Sequence, residues 1–195
     1  MFFPDSGRLE VGDTLHPEAR ALNGRGDSVA AQVFWSSLDT AIVSVVDSAT
    51  GATLAKAVGT GRLQARFGSL RSNPQNVFVF VRLDSASAAG PIRDTIIVSA
   101  PDTLSDSLLV QAWAGTSGAP GRPVVYTMAI YPAGDTTVTL VPKTAQTGAS
   151  GIAFARLRLD SGPLPDSVVV TAAVRRPNGT DVPGSPVRFV VEFQP

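Results

Sequence analysis

Hydrophobic and polar residues alternate with a period of two along most of this chain. Residues 107–114 and 152–160 show the pattern clearly, because small or aliphatic side chains occupy every second position. Clusters of Gly, Pro, Asn, Asp and Ser interrupt the alternation at short intervals, as is typical of turns. No segment of ten residues has the period of an amphipathic helix. The pattern therefore predicts an all-β antiparallel fold, with about seven short strands in each half.

The composition narrows the classes of function. The 195 residues include 16 basic and 16 acidic side chains, so the formal net charge is zero. Neutrality excludes a protein that binds nucleic acid mainly through bulk positive charge. The chain has no cysteine and one histidine, which excludes disulfides, thiolate metal sites and sites built from several histidines. No apolar run reaches the roughly 18 residues that a membrane-spanning helix needs.

The two halves predict two domains. A run of small residues follows Asp84 and is typical of a linker. We therefore predict one β-sandwich over residues 1–84, a linker over 85–93 and a second β-sandwich over 94–195. Each is expected to be an Ig-like antiparallel sandwich, because short strands recur in it with turn signals at the spacing of that fold.

Four segments of the first half carry a family resemblance. They are residues 9–15 (LEVGDTL), 33–45 (VFWSSLDTAIVSV), 49–51 (ATG) and 58–61 (VGTG). Together they resemble the bacterial Ig-like domain of group 2. Within the second of them, Trp35 shares a strand face with Val33 and Ala31, and we expect it to fill the space between the two sheets.

Three segments of the second half resemble a different family. Residues 118–124 (GAPGRPV), 147–153 (TGASGIA) and 166–172 (DSVVVTA) are similar to the group 1, invasin- and intimin-type, bacterial Ig-like domain. Both resemblances imply modular, exported proteins of the cell surface or periplasm. Their domains serve as stalks, adhesin spacers or accessory modules, and catalysis is not what they imply.

The sequence contains none of the common catalytic motifs considered below. The chain lacks a Gly-x-Ser-x-Gly elbow, a His-Glu-x-x-His helix and a phosphate-binding loop. His16, between Leu15 and Pro17, is interpreted as a structural residue of a strand. No Asp-x-Asp-x-Asp-Gly spacing for calcium occurs. We therefore predict a protein that is not an enzyme and has no cofactor and no metal.

Two groups of residues are candidates for binding. Arg25, Gly26 and Asp27 form the tripeptide that integrins recognise and are expected at a hairpin tip, where the same residues also suit an ordinary turn. Strand parity places Trp113, Phe154 and Arg156 on one outer face, as a platform for a protein or glycan or as a packed surface. For residues 76–83 the pattern leaves open whether the valines or Phe78 and Phe80 face inward.

These observations converge on a structural role. We expect a non-catalytic, modular segment of an exported bacterial protein that acts as a spacer or as a cell-surface adhesion or presentation module. The alternative is an accessory module that binds carbohydrate or protein through its exposed aromatic residues. The expected partner is a host or cell-surface protein or glycan, with no nucleic acid. The location is extracellular, at the cell surface or periplasmic, with the signal or anchor outside this chain.

Overall fold

The computed structural model describes residues 7–98, 103–133 and 137–195. Every regular element in these ranges is a β-strand, in agreement with the prediction of an all-β fold. Nowhere in the described ranges is there a helix of the length and hydropathy required to span a membrane. The chain divides into two compact units, Met1–Arg82 and Leu83–Pro195.

The first unit consists of two sheets and a separate hairpin. Its strands are β1 (Arg8–Glu10), β2 (Thr14–Leu15), β3 (Ala21–Leu22), β4 (Ser28–Val29), β5 (Phe34–Ser37), β6 (Val43–Val45), β7 (Thr53–Ala55), β8 (Gly59–Phe67), β9 (Leu70–Arg71) and β10 (Gln75–Phe80). One sheet has the order β1-β10-β8-β5, with β9 also paired to β8, and the other has the order β2-β7-β6. Within the described ranges, strands β3 and β4 pair only with each other.

The structure decides which face of β10 is buried. Val77 and Val79 lie in the core with Leu9, Val43 and Leu63, whereas Phe78 is exposed. The sheets approach closely at this point, because a Cβ atom on Gly61 would lie 2.4 Å from Val43 Cγ2. Gly61 is the register partner of Val77. An interior this thin favours valine over phenylalanine on the inward positions.

The second unit is a sandwich of two five-stranded sheets. Its strands are β11 (Ser85–Ala88), β12 (Arg93–Ile97), β13 (Leu108–Ala114), β14 (Ser117–Gly118), β15 (Pro123–Tyr131), β16 (Thr137–Val141), β17 (Thr144–Gln146), β18 (Ile152–Ser161), β19 (Ser167–Val174) and β20 (Val187–Gln194). The sheet orders are β11-β13-β18-β16, with β14 on β13, and β12-β20-β19-β15-β17. This is the strand arrangement of an Ig-type sandwich whose first strand is divided between the two sheets.

A buried polar cluster stabilises the turn that precedes β15. Thr147 Oγ1 accepts a hydrogen bond from the Arg122 amide (2.8 Å) and donates one to the Ala119 carbonyl (2.7 Å). All three residues are buried, and Arg122 is among the largest fully buried side chains. One hydroxyl therefore satisfies two backbone groups that have no access to water.

The predicted linker over residues 85–93 is wrong in part. Ser85–Ala88 forms strand β11, which pairs antiparallel with β13, and Arg93 begins β12. The small residues serve packing here, because Ala86 is buried opposite Ala112 and its amide donates to the Pro183 carbonyl (2.8 Å). The segment that we expected to be a linker thus contributes a strand to the second unit.

Candidate functional site

The three predicted binding residues lie on one sheet of the second unit. Trp113 is on β13, and Phe154 and Arg156 are on the neighbouring strand β18. Phe154 and Arg156 are exposed and Trp113 is partly exposed, while the adjoining Ala112 and Ala155 are buried. Their side chains therefore share the outer face of this sheet.

The register separates Trp113 from the other two residues. Phe154 lies opposite Leu109, and Leu109 is four residues from Trp113 along β13, which corresponds to about 13 Å. The Arg156 guanidinium instead lies near the other end of β13, where Nε donates to Oγ of Ser107, the residue just before that strand (3.1 Å). Trp113 Nε1 donates to Ser87 Oγ (3.0 Å) and so connects β13 to the edge strand β11. The three residues do not form one compact cluster.

An apolar patch lies between these two ends. Phe154 and Val141 are each more than half exposed, and Leu109 and Ile152 are partly exposed beside them. Val141 pairs with Arg156 across β16 and β18, so a charged side chain borders the patch. The patch thus combines exposed aliphatic side chains, the exposed ring of Phe154 and a bordering positive charge.

The Arg25-Gly26-Asp27 tripeptide lies in the loop of the β3–β4 hairpin. All three residues are exposed, and Gly26 has the positive φ of 88° that glycine adopts readily. The Asn23 side chain fixes the loop, because its Oδ1 accepts from the amides of Arg25 (2.9 Å) and Asp27 (3.0 Å). Asn23 Nδ2 also donates to Asp27 Oδ2 (3.1 Å). The tripeptide is therefore displayed in an ordered turn.

A groove of about 330 Å³ lies beside this hairpin in the first unit. Its lining comes from the hairpin, the residue before β5 and the β8–β9 turn, and most of it is apolar, as with Leu22, Val29 and Leu70. Leu22 and Leu70 are exposed. No signal in the sequence indicates this groove, because it depends on how the separate hairpin lies against β8 and β9.

Three arginines border the groove without an acidic counterpart. Arg20, Arg66 and Arg71 are in its lining, which contains no acidic side chain. Among the described residues none of the three forms an ion pair. Arg66 lies over the Phe34 ring (5.9 Å to the centroid), and Arg71 Nη1 donates to Gln64 Oε1 (3.3 Å). The groove thus combines an apolar floor with a positively charged border, which is complementary to an anionic occupant.

The perturbed carboxylates of the chain belong to structural ion pairs and turns. Arg62 donates two hydrogen bonds to Asp39 (2.8 and 3.0 Å), which lower the pKa of that carboxyl below its ordinary value. A hydrogen bond from the Thr139 hydroxyl is the largest cause that lowers the pKa of Asp160, and a hydrogen bond from Arg158 lowers it further. Burial raises the pKa of the Tyr126 phenol. Within the described ranges, no group of three or more His, Asp or Glu side chains is placed to hold a metal ion.

Comparisons with known proteins concern the fold. No protein-family model and no curated protein matches the chain. The chain is similar to the Yersinia pseudotuberculosis adhesin InvE, with 17% identity and a TM-score of 0.48 over 99% of this chain and 60% of that chain. It is similar to the D0-D1 domain of Intimin, with 17% identity and a TM-score of 0.35 over 94% of each chain.

A third solved structure has the same low level of likeness. Domains 4 and 5 of the S-layer protein SbsC are 11% identical, with a TM-score of 0.34 over 93% of this chain and 82% of that chain. The chain spans 60% of the length of the InvE chain that it matches. No residue role is transferred from these proteins, and the Ig-type assignment rests on the strand order described above.

Proposed function

We propose that this chain is a non-catalytic, modular Ig-like segment of an exported bacterial protein that spaces or presents a binding function at the cell surface. The observation that carries the proposal is the tandem itself: two units, each with its own sheets and core, meet at the bond between Arg82 and Leu83. Modules in series are a direct way to extend a chain outward while each remains independently folded. The first unit is assigned to the group 2 type and the second to the group 1 type, each from its own sequence segments.

The location is tested on intact cells of the source organism. An antibody raised against the chain is applied before and after the cells are permeabilised, with a cytosolic protein as control. Labelling of intact cells, or after opening of the outer membrane alone, supports the proposal. Labelling only after the cytoplasm is opened contradicts it.

Adhesion through the β3–β4 hairpin is the first specific role within this proposal. It is supported by the exposure of Arg25 and Asp27 at an ordered tip. Beads coated with the chain are tested for attachment to mammalian cells. The variants Arg25→Lys and Asp27→Glu keep the charge of each side chain and change its length. Asp47→Glu, in a different exposed turn, is the matched control. Attachment that is equal for all four proteins excludes this role.

A second candidate function, an accessory binding module, is supported by the groove of the first unit. Its apolar floor, together with three arginines in a lining that contains no acidic side chain, favours an acidic peptide segment with apolar side chains over a neutral glycan. The probe is a fluorescent extended peptide of alternating Glu and Leu, compared with the same peptide carrying Gln in place of Glu. Polygalacturonate tests whether an acidic glycan binds instead.

Substitutions of its arginines test whether the acidic peptide binds in the groove. Arg66→Gln and Arg71→Gln are each expected to weaken binding of the acidic peptide several-fold, and added salt should weaken it further. Arg82→Gln removes an exposed arginine of the same unit outside the groove and is the control. Equal binding of the Gln peptide, or equal loss in all three variants, contradicts a role for the groove.

A further inference from the structure

The first and last strands of the main sheet of each unit pair in parallel. In the first unit, β1 pairs with β10 at three residue positions, from Arg8 opposite Phe78 to Glu10 opposite Phe80. In the second unit, β12 pairs with β20 at five positions, from Arg93 opposite Val190 to Ile97 opposite Gln194. Every other strand pair among the described residues is antiparallel.

We propose that these two parallel pairs are mechanical clamps that keep each unit folded under tension along the chain. This inference rests on the proposed spacer role, since a spacer between two attached surfaces carries tension. In a parallel pair, the start of the entry strand and the end of the exit strand lie at opposite ends of the ladder. Tension then slides the strands past each other and loads all the hydrogen bonds at once.

The ladder of the second unit extends beyond its five residue pairs. The Val190 amide donates to the Ile92 carbonyl (2.9 Å) at one end, and the Val98 amide donates to the Gln194 carbonyl (2.9 Å) at the other. Ile96 buries its side chain in the core from this edge strand, and it must leave the core before β12 can slide. An ion pair between Arg93 and Glu192 (3.3 Å) lies across the same two strands.

The ladder of the first unit is shorter. Its three residue pairs are flanked by hydrogen bonds from Phe78 N to Gly7 O (2.7 Å) and from Val11 N to Phe80 O (3.0 Å). Fewer bonds share the load, so the first unit should unfold at a lower force than the second. Its 82 residues, Met1–Arg82, would release at most about 290 Å of extended chain while the second unit stays folded.

Single-molecule pulling with two sets of handles tests the clamp on the full chain. Because the chain contains no cysteine, introduced pairs are the only attachment points. Arg82→Cys with Gln194→Cys pulls the second unit through its ends. The force acts first on the four-residue strand β11 and its pairing with β13, and once β11 has detached it loads β12 against β20 in shear. Asp166→Cys with Gln194→Cys pulls at one end of the antiparallel β19–β20 pair, where Ser167 faces Glu192, and opens it one bond at a time.

The expected result is an unfolding force several-fold higher for the first handle pair than for the second. Equal forces, or a higher force for the second pair, overturn the proposal. Both proteins have the same interior, so their melting temperatures should agree. A difference in unfolding force between them then depends only on the direction in which the unit is pulled.

A proline pair tests the hydrogen bonds themselves. Val98→Pro removes the donor to Gln194, whereas the amide of the adjacent Ile97 points to the open side of edge strand β12, since partners alternate along a ladder. Val98→Pro should lower the unfolding force, and Ile97→Pro should leave it near that of the parent chain. Equal loss in both variants counts against the clamp.

The two proposals fail in different ways. A low force through the end handles removes the clamp and leaves surface location and binding unaffected. Cytoplasmic labelling of cells removes the spacer role, although a high unfolding force would still be measured. If either proline variant does not fold, the comparison of the two handle pairs still decides.

Discussion

The indole of Trp35 lies directly against the backbone of Gly51. A Cβ atom built on Gly51 would be 2.8 Å from both Cδ1 and Nε1 of the indole and 3.1 Å from Pro17 Cγ. Gly51 also has a positive φ of 79°, and the Trp35 amide donates to the carbonyl of Ser48 in the same turn (2.8 Å). Trp35 is buried as predicted, and it packs beneath this turn rather than within the central cluster of Leu9, Val43 and Val77.

Gly51→Ala should destabilise the first unit through both steric overlap and backbone strain. The matched control is Gly26→Ala, because Gly26 has a similar φ of 88° and nothing within 4 Å of an added Cβ. The control should lower the free energy of unfolding by about 1–2 kcal/mol, because alanine is strained in the left-handed backbone conformation, and Gly51→Ala should lower it clearly more. Urea denaturation measures both. Equal losses would mean that the indole moves aside without cost.

Trp35→Ala should lower the free energy of unfolding of the first unit by about 3–5 kcal/mol, since it removes a large buried side chain. The chain contains two tryptophans, Trp35 and Trp113, one in each unit. In Trp35→Ala the fluorescence of Trp113 follows the second unit, and circular dichroism follows both. The second unit should unfold as in the parent chain. An unchanged transition of the first unit would contradict a packing role for Trp35.

Thr147→Val should destabilise the second unit. The change keeps the side-chain shape and removes a hydroxyl that satisfies the Arg122 amide and the Ala119 carbonyl. Each buried backbone group left without a partner costs about 1–3 kcal/mol. Thr147→Ser keeps the hydroxyl and should retain most of the stability. A loss that is larger for Ser than for Val would assign the role of Thr147 to its methyl group.

Tyr126→Phe, unlike Thr147→Val, should not destabilise the second unit. The Tyr126 hydroxyl is buried and finds no hydrogen-bond partner among the described residues, so its removal should be neutral or stabilise the unit by about 1 kcal/mol. Burial also raises the pKa of this phenol above its ordinary value of 10.0. Between pH 10 and the folded pKa the unfolded state loses the proton first, so stability falls there. Tyr126→Phe should lose this alkaline contribution, as unfolding curves at pH 8 and above pH 10 would report.

The Asp39–Arg62 ion pair should give the first unit an acid-sensitive contribution. Arg62 lowers the pKa of Asp39 below 3.8, so the pair stabilises the unit above that pH and loses its effect as the pH falls through the folded pKa. Asp39→Asn should therefore reduce the melting temperature at pH 7 and match the parent chain at the lowest pH. A difference that persists in strong acid would point to the hydrogen bonds rather than the charge.

Periodicity predicted the outward faces of β13 and β18 correctly, because side-chain direction follows sequence parity within a strand. Periodicity could not predict that Trp113 lies about 13 Å along β13 from the position opposite Phe154, because the register between strands depends on the whole sheet. Small residues at Ser85–Ala88 indicated a linker, yet they pack as a strand against Ala112. The groove could not be predicted at all, because Arg20, Arg66 and Arg71 meet only after the separate hairpin is in place.

The parallel pairing of β12 with β20 has a consequence for the order in which the second unit can form. Arg93 and Glu192 are 99 residues apart in sequence, so the ladder between them closes only after nearly the whole unit has been synthesised. Until residues 187–194 emerge, β12 has no partner strand and β19 has an open edge. Contacts between such distant residues slow folding. A chain that passes through a translocation channel from its first residue would thus remain open in this unit until its final strand arrives on the far side.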